Sequence, residues 1–349
     1  MINSPFAIYR LPFADECTVV VQESGVPEMY DSIAELKGRS GFVMIPFFCG
    51  GSQRIVLIRP DRIYSKAVVD VASENVKLFD GMDVLPKRDK TEYADAFEKF
   101  HGALKDGRFE KLVLSRYSVR GYDGNVVEAF KRACDAYPRM MVYLCSAPGC
   151  GTWIGCTPEI LLSGSKTHYR TVALAGTVPL FQTEANFQWS DKNKREQRIV
   201  ADYVRQTLNP FASVIEEEGP YSSRAGQLLH LKTHFHFSPN QGAEITDVVN
   251  ALHPTPAVCG MPKTESLHFI GENEGYSRGF YSGVVGMLAP NDKTDLYVNL
   301  RCANIKGLNA VLYAGGGILT SSDMESEWQE TEEKMKTVGE ILKSKINCR

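Results

Sequence analysis

The chain has 349 residues, a formal net charge of −3 at pH 7, 43% hydrophobic and 23% charged residues. That balance suits a soluble globular protein with a large core, leaves no basic footprint for nucleic acid, and argues against recruitment to an anionic membrane surface. Nine cysteines, at 17, 49, 134, 145, 150, 156, 259, 302 and 348, are odd in number and form no CxxC pair, so reduced buried thiols are expected, not a zinc site or disulfide framework.

The opening MINSPFAIYRLPF lacks a basic head followed by a long apolar run, and no stretch approaches the ~20 apolar residues of a membrane span, so a cytoplasmic location is expected. Residues 1–85 read as short strands and turns: FAIYRLPF, CTVVVQ, GFVMIPFF and RIVLIRP. Apolar spacing predicts a helix over 92–105, and the β-branched KLVLSRYSVRG after it predicts a strand. A helix around 126–136 leads into two strand-like runs, MMVYLCSAP and TWIGCTPEILLSG, the second turning at Thr157 and Pro158. THYRTVALAGT reads as a strand ending in a glycine turn. Residues 190–208 predict a helix with Ile199, Val200, Tyr203, Val204 and Leu208 at apolar positions. A short helix over 244–252 stops at His253-Pro254. From Arg278 to Cys302 the pattern predicts two strands, GFYSGVVGML and DLYVNLRCANI, joined by a polar turn. NAVLYAGGGIL predicts a strand ending in three glycines, and a closing helix is predicted over 323–344. Hairpin-like pairs outnumber strand–helix–strand units, so the expected fold class is α+β, a single domain of large antiparallel sheets flanked by helices.

Several charged residues stand where chemistry would place them. Glu327, Glu330 and Lys334 fall at i, i+3 and i+7 and share one helix face. Before them, Gly315, Gly316 and Gly317 allow close backbone approach, and their N–H groups can bind a carboxylate. A solvated face with an i,i+4 Glu–Lys pair gives the same spacing. Glu196 points along the apolar face of its helix, where a carboxylate is costly unless it is paired or binds a cation; a glutamate at the end of the face, reaching water, is the plain alternative. Glu196 and Glu330, from two helices, would suit magnesium, which prefers hard oxygen ligands, keeps several waters and commonly bridges an anionic substrate. Lys111 opens KLVLSR and Glu159 opens the apolar run ILL. Desolvation at the mouth of a buried strand can move such charges toward neutrality and make a base–acid pair, although ordinary strand-end charges look the same. His253 and Arg301 could bind an anion or serve structurally. No His or Asp stands at a telling spacing from Cys156, Cys259 or Cys302, which leaves a cysteine nucleophile unsupported.

Taken together, these residues resemble the chorismate-utilising enzymes: isochorismate synthases, salicylate synthases, anthranilate synthase large subunits and aminodeoxychorismate synthases. The strings that carry the resemblance, in order, are EKLVLSR, WIGCTPEILL, ALAGT, KREQRIVADYV, LHPTPAVCGMPK, SRGFYSGVVG, LYVNLRC, and LYAGGGI followed by ESEWQETEEK. They place a motif-bearing catalytic part at 91–345 and a variable N-terminal part at 1–90 within one chorismate-binding domain over 1–349. The resemblance implies an anthranilate-synthase large-subunit-like fold, Mg2+ as cofactor and chorismate as the small-molecule partner, with no nucleic acid or membrane, in a monomer or weak homodimer. It implies Glu196 and Glu330 as direct metal ligands, with Glu327 nearby through water. Arg301, Lys334 and the backbone at Gly315 and Gly316 would clamp the substrate carboxylates, Gly176 would bring backbone near the ring carboxylate, and His253 would line the ring pocket. Lys111 would be the general base and Glu159 the general acid, with Leu174 helping to confine the attacking water.

The same positions sort the subfamilies. Ammonia-using relatives typically carry glutamine where this chain has Lys111, and aminodeoxychorismate synthases carry a nucleophilic lysine where it has Ala175. The resemblance therefore implies an isochorismate synthase feeding menaquinone or siderophore synthesis, with salicylate synthase as the alternative. Two positions depart from the family pattern: Gln197 replaces the usual histidine after the metal-binding glutamate, and Ser266 replaces a common alanine.

Overall fold

Residue parity along the strands sets the architecture. In Phe6–Arg10, Ala7 and Tyr9 enter one apolar cluster while Phe6 and Ile8 enter another. Met141–Ala147 repeats this, with Tyr143 and Cys145 on one side and Val142 and Leu144 on the other. Successive side chains point to opposite faces, so strands apolar at every position must be covered on both.

The computed structural model describes residues 2–343 apart from 72–74, 82–85, 87, 181–182, 184–186 and 226–227. Two nine-stranded sheets form the core. From edge to edge, the first contains Gly260–Met261, Lys111–Gly121, Asn309–Ile318, Cys302–Lys306, Gly151–Thr157, Met141–Ala147, Phe6–Arg10, Glu16–Val21 and Arg62–Ala67. The second contains Ala212–Ala225, Leu228–Pro239, His168–Pro179, Ile160–Ser165, Lys293–Val298, Val284–Leu288, Gly41–Ile45, Ile55–Ile58 and Glu28–Tyr30. Every pairing within them is antiparallel. The larger apolar cluster joins their facing sides, as where the rings of Tyr9 and Phe42 meet at 5.6 Å. Helices Val126–Ala136 and Met324–Ile341 cover the outer face of the first sheet through Phe130, Ala133, Met335 and Val338. Helix Asp191–Leu208 packs on His168–Pro179 of the second, burying Val200, Val204 and Leu208. The expected single α+β domain of large antiparallel sheets is the observed one.

The predicted helices form within a few residues of their expected ends, where polar caps stop them. Asp89 caps Lys90–Lys105 and shares a capping box with Glu92, Ser190 caps Asp191–Leu208, and Asp323 caps Met324–Ile341. Helix Lys263–Asn273 lacked a predicted element, the strand predicted over 279–288 forms only at Val284–Leu288, and two further features depart from expectation. The run predicted as one strand over 295–305 breaks at Arg301, whose left-handed φ of 46° takes the chain from the second sheet to the first. Residues 212–239, which lacked a predicted element, form a long edge hairpin. Its polar alternation shows little apolar signal because only one strand pairs inward. Among the described residues no helix is long and apolar enough to cross a membrane. The eight described cysteines are free thiols, and all but Cys49 are buried.

Candidate active site

Where the two sheets meet, a narrow pocket opens between them. The first sheet contributes Val113, Gly315 and Gly317; the second contributes Leu174, Ala175, Gly176, Thr177 and His230; helices supply Glu196 and Lys334. Glu159 and Arg301, at the joints between strands, also line it, as do Val258 and Tyr281. Strand register makes this possible: Gly316 pairs with Leu114 and Gly317 with Val113, so the glycine strand runs beside the strand opened by Lys111.

The glycines are needed because carboxylates crowd their faces. A Cβ on Gly317 would lie 2.2 Å from Glu196 Oε1 and 3.0 Å from Lys111 Cε. A Cβ on Gly316 would lie 2.9 Å from Glu327 Oε2 and 3.8 Å from Glu330 Oε1. Gly176 meets a different demand: it forms a bulge at φ +73°, and a Cβ there would sit 3.1 Å from Asn193 on the packed helix.

Each candidate metal ligand stands against a lysine. Lys111, fully buried, places Nζ 2.8 Å from Glu196 Oε1, poorly aligned for a hydrogen bond, and makes no other one. Burial would raise the Glu196 carboxyl, but Lys111, Lys192 and Lys334 together hold it below its ordinary value. Lys192 pairs with Glu327, and Lys334 pairs with Glu330 while donating to Gly315 O at 2.8 Å. Burial and the neighbouring Glu330 lift Glu327 to about 6. Burial lowers the Lys192 amine, but Glu327, Glu330 and Glu196 outweigh it and raise it overall. Among the described residues, no three His, Cys, Asp or Glu side chains form a ready-made metal cluster. The donor set nonetheless suits a hard cation that keeps waters: carboxylate oxygens from two helices meet at the glycine strand, and Glu327 Oε2 is buried without a partner.

Glu159 has the environment of a proton donor. It is 3% exposed, and burial raises its carboxyl to about 7 against the opposing pull of Lys111 and Arg301. The effect of Lys111 on it places the two predicted proton-transfer groups in one electrostatic neighbourhood. Arg301 is buried, which lowers its guanidinium, although Tyr281, Glu330 and Glu159 act to raise it.

Of the predicted pocket residues, Leu174, Gly176, Arg301, Gly315 and Lys334 line it, while Gly316 faces Glu327 behind the lining. His253 lies elsewhere: its Nε2 sits 3.0 Å from the carbonyl of Pro46, and burial lowers its ring to about 4. The histidine that lines the pocket is His230, which sequence reasoning passed over. Its Nδ1 lies 3.3 Å from Gly176 O and 3.2 Å from Thr177 Oγ1, and Nε2 is buried without a partner. Burial, Arg301 and Lys334 push it well below the usual imidazole value, which keeps the ring neutral. Its only sequence signal is parity within HLKTHFHF, which puts residue 230 on the same strand face as 232, 234 and 236. The departure at Gln197 also has a reason: its side chain bridges Ala175 N, Ala173 O and Thr233 Oγ1, tying the Glu196 helix to the pocket strands.

Known proteins resemble this chain in sequence and in fold. The chain is 28% identical over 307 residues to the isochorismate synthase MenF of Escherichia coli, covering 82% of this chain and 70% of that protein. It is 28% identical over 258 residues to MenF of Bacillus subtilis, covering 71% of this chain but only 55% of that relative. The solved structure of E. coli MenF, described as a menaquinone-specific isochorismate synthase, superposes with a TM-score of 0.80 at 23% identity over 98% of this chain and 90% of that one. Anthranilate synthase component I from Streptococcus pneumoniae superposes with a TM-score of 0.69 at 19% identity, over 94% of this chain and 81% of that one. Residues 65–343, which hold the pocket and nearly all of both sheets' central strands, match the model of the chorismate binding enzymes, and the chain belongs to that family.

Proposed function

We propose that this protein is a magnesium-dependent isochorismate synthase that converts chorismate to isochorismate, feeding menaquinone or siderophore synthesis. The observation that carries this reading is the buried Glu159, its carboxyl raised to about 7, lining a pocket with Arg301, Lys334 and the Glu196 that pairs with Lys111. Lys111 is the base that takes a proton from water as that water attacks C2 of the ring. Both conjugated ring double bonds shift, C1=C2 to C1=C6 and C5=C6 to C4=C5, and Glu159 gives its proton to the C4 hydroxyl, which leaves as water. One water is added and one lost, so atoms balance and the reaction is reversible. Arg301 and Lys334 bind the substrate carboxylates, and neutral His230 offers Nε2 as an acceptor to the ring. Leu174 and Val258 wall the pocket with apolar surface that confines the attacking water. Glu196, Glu327 and Glu330 would hold the magnesium ion, which supplies charge neutralisation and orientation for the ring carboxylate. Ala175 offers no amine for a covalent adduct, which fits water as the nucleophile.

Incubation with chorismate and Mg2+, followed by product identification by mass and fluorescence, tests the proposal. Isochorismate without pyruvate is expected. Fluorescent salicylate together with pyruvate would instead assign a salicylate synthase, and an aminated product would overturn the role of water.

A further inference from the structure

Three lysines neutralise the three carboxylates assigned to the metal, and one of them, Lys192, has no part in the chemistry above. It precedes Glu196 by one helical turn and reaches across to the facing helix, where its ammonium pairs with Glu327 Oε1. Glu327 is 1% exposed. Ser322 Oγ donates to the same Oε1 at 2.7 Å, while Oε2 stays unpartnered beside Gly316. Glu196, Glu327 and Glu330 against Lys111, Lys192 and Lys334 make a neutral cluster, so an entering divalent ion would bring two uncompensated charges into it. Withdrawal of one ammonium would offset part of that charge. The side chains of Lys111 and Lys334 are 0% and 9% exposed, whereas Lys192 is 29% exposed in the first turn of its helix, next to water.

We propose that Lys192 is the resident counter-cation of the metal site: it holds Glu327 in the metal-free protein and swings to solvent when the divalent ion binds. This inference rests on the metal assignment proposed above. The role is one of positioning and competition, separate from proton transfer.

Binding of Mn2+ alone, followed by electron paramagnetic resonance of the free ion, tests it on the full chain, with melting temperatures measured with and without Mg2+. Lys192→Met removes the competitor, so Mn2+ should bind about tenfold more tightly. The metal-free variant should melt below the parent protein, and saturating Mg2+ should close that gap. Lys192→Arg, which keeps the charge, should retain the parent affinity. If the methionine variant fails to fold, Lys192→Gln replaces it with the same expectation. Unchanged or weaker Mn2+ affinity would overturn the proposal, as would a melting deficit that Mg2+ leaves in place, because a purely structural lysine gives that result. Absence of saturable Mn2+ binding in both parent and variants would overturn the metal assignment itself, a different result from binding that Lys192 does not influence.

Discussion

Glu159 follows Pro158 at the mouth of the strand Ile160–Ser165, where little water reaches it. Below its ordinary value of 4.5, folded and unfolded chains both carry this proton; between there and about 7 only the folded chain does. The unfolded state then binds fewer protons, so this group makes stability fall as pH rises through that window and then level off. Glu159→Gln should flatten that part of the stability–pH curve, measured by chemical denaturation. The same substitution should lower kcat/KM by ~10²–10⁴-fold and abolish the falling limb of the pH–rate profile near neutrality. Lys111→Ala should lower turnover by a similar ~10²–10⁴-fold while substrate still binds, as isothermal titration would show. It also leaves the Glu196 carboxylate buried without its partner, at a cost of about 3 kcal/mol in the metal-free protein. The identity of these two residues was legible from their places at strand mouths. Their electrostatic company was not, because Lys111 meets Glu196 only through packing of one sheet against a helix on the other.

Among the elements, helix Met324–Ile341 carries most of the metal-facing charge, and the strand Lys111–Gly121 holds it in place. Arg116 stacks at 3.7 Å over the Trp328 ring, donates to Thr331 Oγ1 at 2.6 Å and pairs with Glu332. Arg116→Leu should cost about 2 kcal/mol in unfolding experiments and raise the Mg2+ concentration for half-maximal activity, since Glu327 and Glu330 ride on the loosened helix. The glycine strand gives a sharper test. Gly317→Ala places its methyl on Glu196 Oε1, a side-chain tip that can move, so the protein should fold with nearly unchanged melting temperature while activity drops at least ~100-fold. Most helices and apolar strands were legible because their periods are local properties of the chain; helix Lys263–Asn273, which buries only Ser266, Phe269 and Ile270, was not. The hairpin Ala212–Pro239 was not, since its alternating polar residues resemble a solvated loop, and His230 was lost with it.

At the scale of the molecule, the first 67 residues supply three strands to one edge of each sheet: Phe6–Arg10, Glu16–Val21 and Arg62–Ala67 to the first, and Glu28–Tyr30, Gly41–Ile45 and Ile55–Ile58 to the second. Phe42, Val43, Met44 and Ile45 are fully buried. A chain starting at residue 68 would expose both sheets along those edges, so it should fail to give a cooperative melting transition despite retaining every candidate catalytic residue. Circular dichroism of that fragment against the full chain would check this.

The amino-acid sequence by itself determined the inventory of acids, bases and glycines, most of the helices and strands and the antiparallel class, because periodicity and spacing are written locally. Only the tertiary structure decided which lysine answers which carboxylate, that His230 and not His253 lines the pocket, and that Arg301 sits at a crossing between sheets. Those outcomes depend on register between strands distant in the chain, where a slip of one residue sends every side chain to the opposite face.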